Sequence, residues 1–543
     1  MAEYPVRLLT RGRVFNYYLS PSVTGAYTRQ WGDHFFKGMA GFQMELQENS
    51  SEYMYKDGML SEDIYSFDNA NGTPYAAEAR SHWATMGMFA RLNWNYRNIY
   101  FLEFSGRYDG SSRFAPDNRW GFFPSFSAGY DISRTPYFTK LNLPVSQLKV
   151  RVSYGRLGNQ NGAGLYDYLG VMTLDPNNVN AWLLPGTGNK PAKGTISLTP
   201  KMISPYITWE KVDNANIGLD LMLFDDRLSV TFDAYQRTTK DMIGPAEAIP
   251  AVSGIVPDDR AKINNATLRN RGWELSVNWQ DKLKCGFSYG IGFNLFDYKA
   301  VVTKYNNPEG IIYNNHTGLA RNKGYYEGMD IGEIWGFVAD DLFMTNREVD
   351  DYLQSKDLSF FKADNLWQAG DLKYIDVNRD GKVDPGKGTL DDHGDLRIIG
   401  NTTPKYSFGI NLKAGYKGFQ VSTLFQGVGK RDFPLAGSTY LFGGKNYFKE
   451  HLDYFSPQNP DAYLPRLADP KTDDYRVNAG YNTTRYMVNA AYMRMKNLTV
   501  SYTFDKKMLK ALRLENLRLY FTCDNLFTIT SLPKSFDPET LNL

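Results

Sequence analysis

The chain has 543 residues, with 61 Lys and Arg against 59 Asp and Glu, a formal net charge of +2. That balance, with no block of like charges, gives no footing for nucleic acid, which needs a clustered basic face. Hydrophobic residues make up 42% and aromatics 15%, with 38 Tyr, 33 Phe and 48 Gly, yet mean hydropathy is −0.46. Apolar residues are therefore interleaved with polar ones. No run of about 18 apolar residues is present to make a membrane-crossing helix, and the pattern stays open to a transmembrane β-barrel, whose signal is alternation.

In chain order, the opening MAEYPVRLLTRGRVFNYYLS lacks the basic and apolar regions of a signal peptide. Either the protein stays in the cytoplasm or the chain begins inside a longer one. Met88, Ala90, Leu92, Trp94 and Tyr96 then alternate with polar neighbours, and after a turn Tyr100, Leu102, Phe104, Gly106 and Tyr108 do the same. The period-two pattern recurs at 148–155, 219–234, 273–280, 287–295, 406–415, 498–504 and 517–523, with a helix-like connector at 506–512. Tight turns fall at 29–33, 96–98, 225–227, 280–284 and 416–418. Long loops fall at about 50–82, 109–119, 160–212, 243–266, 305–403 and 433–487, with segments of their own such as 332–342.

The fold class expected is all-β: an antiparallel transmembrane β-barrel, partial, of about 14 strands, with long loops at one end. Strands of ten or more residues suit a tilted bilayer crossing, whereas soluble strands run to about 5–6. The charged face would be costly as a dry core. A set of soluble β-sandwiches is the alternative, opposed by strand length and by the asymmetry of turns and loops. Cys285 and Cys523 are too few for a disulfide framework and read as unpaired wall residues.

The stretch DVNRDGKVD places Asp376, Asn378 and Asp380 at positions 1, 3 and 5 of an EF-hand loop. Gly381 is sixth, the Lys382 carbonyl seventh and Asp384 ninth. Position 12 is Lys387, which cannot ligate calcium; Asp391, Asp392 and Asp395 are the acids within reach. Two readings stay open. One is a structural Ca²⁺ clip on a long loop, and the other is an Asp-rich turn bonding its own backbone without metal. Loop aromatics Trp120, Trp182, Trp335, Trp367, Tyr440 and Tyr447 suit either sugar stacking or packing. His34, His82, His316, His393 and His451 show no metal spacing, and no HExxH, GxSxG or GxxxxGK[ST] occurs, so no enzyme is expected.

Several stretches resemble the SusC/RagA family of TonB-linked outer-membrane transporters of Bacteroidetes. They are LEFSGRYDGSSRFAPDNRWGFFPSFSAGYDIS (102–133), KVRVSYGRLGNQ (149–160), FDAYQRTTKDMI (232–243) and NRGWELSVNW (270–279). GDLKYIDVNRDGKVD (370–384), TLDDHGDLRIIGNTTPKYSFGINL (389–412), LRLYFTCDNLFTIT (517–530) and FDPE (536–539) follow in family order. The resemblance implies one receptor-barrel domain over 1–543, part of a 22-strand barrel, with signal peptide, carboxypeptidase-like domain, plug and last strand absent. It implies import of large nutrients, oligosaccharides or peptides, with a SusD-like lipoprotein, TonB and outer-membrane lipid as partners. The alternative is a surface or secreted calcium-stabilised β-protein binding glycans without transport.

Overall fold

The computed structural model describes residues 8–541 apart from 62, 171–173, 176–182, 185–191, 194–195, 198–201, 246–260, 309, 313–323, 362–366, 436–440, 442–447, 469–476, 506–508 and 511–512. The expected connector helix at 506–512 therefore lies largely outside the described residues. The first eleven long strands are β1 (Leu8–Leu19), β2 (Ser22–Trp31), β3 (His34–Asp57), β4 (Tyr75–Tyr96), β5 (Tyr100–Ser111), β6 (Trp120–Asp131), β7 (Val145–Asn159), β8 (Glu210–Leu223), β9 (Leu228–Pro245), β10 (Lys262–Lys282) and β11 (Ser288–Lys304). Short elements follow: β12 (Glu333–Phe337), β13 (Ala339–Leu342), helix α1 (Asn346–Leu353), β14 (Leu372–Tyr374) and β15 (Leu396–Asn401). The chain then returns through β16 (Lys405–Tyr416), β17 (Phe419–Lys430), β18 (Asp432–Pro434), β19 (Met487–Asn489), β20 (Tyr492–Thr503), β21 (Arg518–Asp524) and β22 (Thr528–Thr530).

Sixteen strands form one sheet in the order β1-β3-β4-β5-β6-β7-β8-β9-β10-β11-β16-β17-β20-β21, with β2 also on β3 and β22 also on β20. β1 and β2 are two halves of one crossing, because both pair with the 24-residue β3. Pro21 separates them: it has no N–H to give the ladder, and its carbonyl accepts the Met44 amide at 3.0 Å. β21 and β22 likewise share β20. Fourteen positions result, matching the count read from alternation. Among the described residues the path runs from β1 to β21.

Three expectations need correction. The turn expected at 280–284 lies at 283–287, since β10 continues to Lys282 and the reversal waits for Gly286 at φ 88°. Cys285 therefore sits in that turn rather than in the wall; Cys523 is in β21. β3 and β4 also run well into the expected 50–82 loop and stay paired to Tyr55 and Tyr75.

By internal contacts the chain divides into two compact units, Met1–Tyr130 with Ser153–Ala215 and Thr238–Ala266, and Asp131–Val152 with Asn216–Arg237 and Thr267–Leu543. In the first unit the apolar side of the sheet is the exposed side. Met88, Leu92, Phe104, Tyr108 and Phe122 are all exposed, the inverse of a sheet folded for water. Cross-strand register sets Trp31, His34, Tyr96, Tyr100 and Tyr130 in one row. A second aromatic level holds Trp120 on Tyr108, ring centroids 5.0 Å apart. From Tyr130 to Trp120, at about 3.3 Å per residue and a tilt of about 40°, the levels stand about 25 Å apart, the height of an outer-membrane apolar band. No helix among the described residues is long and apolar enough to cross a membrane.

In the second unit the long connections are folded rather than loose. Segments from 302–396 and 433–490 share one hydrophobic core containing Phe337, Phe343, Phe361, Leu372, Tyr374 and Tyr486, each at most 2% exposed. A backbone bond from Phe337 to Asn482 and another from Leu435 to Tyr486 tie the segments together. We call this body the loop lobe.

Candidate functional site in the loop lobe

Two features carry chemistry: a polar face of paired charges on the sheet, and the Asp-rich loop inside the lobe. On the polar face of the first unit Arg156 forks onto Asp213 at 2.6 and 3.1 Å, and Lys240 joins the same carboxylate at 3.0 Å. In the second unit Arg151 bridges Asp220 at 2.7 Å and Asp233 at 3.2 Å. Gly218 makes room for it, since a Cβ there would stand 2.7 Å from the guanidinium carbon. Cross-strand pairing of this kind suits a wall facing water, where unpaired charge would repel and a dry core would penalise both ions.

The Asp-rich loop lies between β14 and β15. Asp376 is the buried member, with a side chain only 1% exposed. Its Oδ1 accepts the Arg379 amide at 2.6 Å and its Oδ2 the Gly381 amide at 3.0 Å. Asn378 Oδ1 accepts the Asp380 amide, Asp380 Oδ1 the Lys382 amide and Asp384 Oδ1 the Gly386 amide, at 2.7–3.0 Å. Gly381 takes φ 88°, a conformation that admits glycine readily. The structure thus brings Asp376, Asn378, Asp380, Lys382 and Asp384 into one compact loop.

Of the three acids beyond it, Asp395 alone turns inward. It is buried, and it accepts the amides of Val377, Asn378 and Asp384 at 2.6–3.2 Å. Asp391 is exposed, and Asp392 stands 3.9 Å from the exposed Lys387. Lys356 completes the group, its Nζ 2.5 Å from Asp376 Oδ2. Burial pushes the Asp376 carboxyl up, but the bonds from Lys356, Gly381 and Arg379 outweigh it and hold the group below the usual carboxylate range. Burial pushes the Asp395 carboxyl up and prevails there. The donor set fits calcium in part: the backbone is bent as an EF-hand loop bends, but an ammonium already sits on the position-1 carboxylate. Among the described residues no group of three or more His, Cys, Asp and Glu is arranged to hold a metal ion.

Trp367 is in the lobe core, Trp335 packs against it beside His393, and Trp120 stacks on Tyr108. Trp182, Tyr440, Tyr447 and His316 lie outside the described residues. The FDPE stretch is held by cations that sequence reasoning left unassigned. Arg494 bonds Asp537 at 2.8 Å and Glu539 at 2.7 Å, and Lys496 adds a bond to Glu539.

Comparison with known proteins agrees with this geometry. The family model for the TonB dependent receptor-like β-barrel matches residues 5–526. TonB-dependent receptor P3 of Formosa agariphila is 26% identical over 529 residues, covering 94% of this chain and 48% of the relative. TonB-dependent receptor SusC of Bacteroides thetaiotaomicron is 25% identical over 537 residues, covering 97% and 48%. The chain thus spans about half the length of these curated relatives. Among solved structures, the RagAB peptide transporter shares the fold with a TM-score of 0.74 at 21% identity, over 98% of this chain and 54% of that one.

Proposed function

The chain belongs to the TonB dependent receptor-like β-barrel family of the outer membrane, and from that premise we propose that it forms the barrel portion of a SusC-like transporter importing large nutrients, oligosaccharides foremost. The observation that carries the reading is the division of the wall into two faces. In the first unit one is apolar and exposed between two aromatic levels, and the other carries cross-strand ion pairs such as Arg156 and Lys240 with Asp213. A water-filled conduit through lipid needs both. A peptide cargo is the second reading, favoured by the fold shared with the RagAB peptide transporter. We propose further that a SusD-like lipoprotein covers the lobe end and that TonB drives uptake through the remainder of a relative-length protein.

The test is complementation. A strain lacking the transporter is given back the full-length gene, and accumulation of labelled oligosaccharides and of labelled peptides is measured with TonB present and absent. TonB-dependent recovery of an oligosaccharide supports the first reading, and recovery of peptides alone moves the function to the second. Recovery of neither refutes transport of these classes. The exposed apolar wall also opposes a water-soluble glycan binder, which would stay dispersed without detergent.

A further inference from the structure

We propose that the ammonium of Lys356 takes, in the 376–384 loop, the place a calcium ion takes in an EF-hand loop, so that the lobe is closed by a cation of the chain itself. The loop is bent by its own side chains. Position 1, Asp376, receives the amides of positions 4 and 6, and the side chains at positions 3 and 5 each receive the amide two residues on. In an EF-hand a divalent ion balances the carboxylates that this bend draws together. Here Lys356 Nζ stands 2.5 Å from Asp376 Oδ2, and the carboxylate side chain is 1% exposed against 27% for the lysine. A buried carboxylate with a direct ammonium partner and two backbone donors is both neutralised and solvated by the protein.

The groups that would complete a divalent site are committed elsewhere. Position 12 is Lys387, whose side chain is 81% exposed. Asp395, the acid that does turn inward, uses both oxygens on the amides of Val377, Asn378 and Asp384. Calcium asks for 6–8 oxygen ligands, and among the described residues no group of three or more His, Cys, Asp and Glu is arranged to hold a metal ion.

The lysine is delivered by fixed structure rather than by chance. Helix α1 starts at a Thr345 cap that accepts the Glu348 amide. Immediately after Lys356, Asp357 pairs with the loop in parallel register. Its amide bonds the Gly381 carbonyl at 2.8 Å, and its carbonyl accepts the Val383 amide at 2.9 Å. The Lys356 backbone is therefore held beside positions 6 to 8, within reach of the Asp376 carboxylate.

The test uses the full-length protein in detergent, with trypsin cleavage between Arg379 and Lys387 followed by mass spectrometry in EGTA and in about 1 mM calcium, the range used by extracellular calcium modules. Wild type is expected to be cut at the same rate in both, within about twofold. Lys356→Met is expected to be cut about tenfold faster in EGTA, a value below the full cost of a broken buried pair because the lysine is partly exposed. Calcium should restore little of the lost protection in that variant, because the groups that would complete a divalent site are committed elsewhere. The double variant Lys356→Met with Asp376→Asn carries neither charge and is expected to resist trypsin in both conditions, which separates loss of the pair from a general failure to fold. Calcium protection of wild type by about tenfold would overturn the proposal. So would wild-type resistance of Lys356→Met in EGTA, or sensitivity of the double variant.

Discussion

Phe337→Ala tests whether two loops far apart in sequence form one body. Phe337 is 1% exposed and touches rings from both segments: Phe361 at 5.0 Å, Tyr374 at 5.7 Å and Phe360 at 6.0 Å on one side of the chain, Tyr481 at 5.8 Å on the other. Truncating a buried Phe costs about 3–5 kcal/mol, and four aromatic partners place this site in the upper half of that range. About 4 kcal/mol multiplies the open population of the lobe by about a thousand, at about 1.4 kcal/mol per tenfold. Hydrogen exchange followed by mass spectrometry on the full-length protein reads this directly. Amides of β12 and β13 and those at 477–486 should lose protection together and by the same factor, while β16 and β17 keep theirs. If protection falls in β12 and β13 and stays intact at 477–486, the shared core is not a cooperative unit and the reasoning fails.

The assignment of wall faces predicts that Phe104→Lys, at mid-height on the exposed apolar side, costs about 2–4 kcal/mol and removes most folded, heat-modifiable protein from outer-membrane fractions. Ser105→Lys, one residue on and facing the other way, should leave the fraction unchanged; equal loss in both would sink the assignment. Gly41→Ala should lower the melting temperature of the folded band, because a Cβ there would stand 2.8 Å from the Val23 carbonyl and closer still to the Phe89 ring. Overpacking of this kind costs about 1–3 kcal/mol. The hydrogen bond from Arg494, with further help from the Glu539 amide, holds the Asp537 carboxyl below its usual range. Its stabilisation is therefore complete above the unfolded value of about 3.9 and is lost as pH falls through the lower folded value. Pepsin cleavage at 532–541 should stay level down to about pH 4 and rise below it; a rise beginning above pH 5 would contradict the pairing.

Alternation made the wall legible because each strand residue faces one of two solvents. Met88, Leu92 and Phe104 face lipid, and Arg91, Asn93 and Glu103 face water, so hydropathy reports the pleat directly. The same signal failed at 50–57 and 75–82. There β3 and β4 pair beyond the aromatic levels, both faces are wet, and SSEYMYKD carries no alternation to read. Backbone pairing persists without a lipid face to mark it. The lobe was illegible for a different reason. Its core draws single residues from discontinuous stretches, and its ties join partners such as Asp371 and Arg466, 95 positions apart, with no local spacing to betray them.

The Asp-rich loop shows what a motif read by spacing can and cannot specify. Spacing fixes the bend, because Asp376, Asn378 and Asp380 each accept amides within five residues, that of Gly381 among them, and that bend is present. The balancing charge is not local. Lys356 lies twenty positions upstream, three residues past a helix the sequence did not announce, and the backbone bonds of Asp357 to Gly381 and Val383 hold it there. A connection of nearly a hundred residues costs chain entropy that a loose loop never recovers. Folding it around a shared core recovers that cost but draws carboxylates such as Asp376 and Asp395 out of water. Those two carboxylates are met by different means, an ammonium and two amides for one and three amides for the other. Both carboxylates are thus met by groups the chain itself carries.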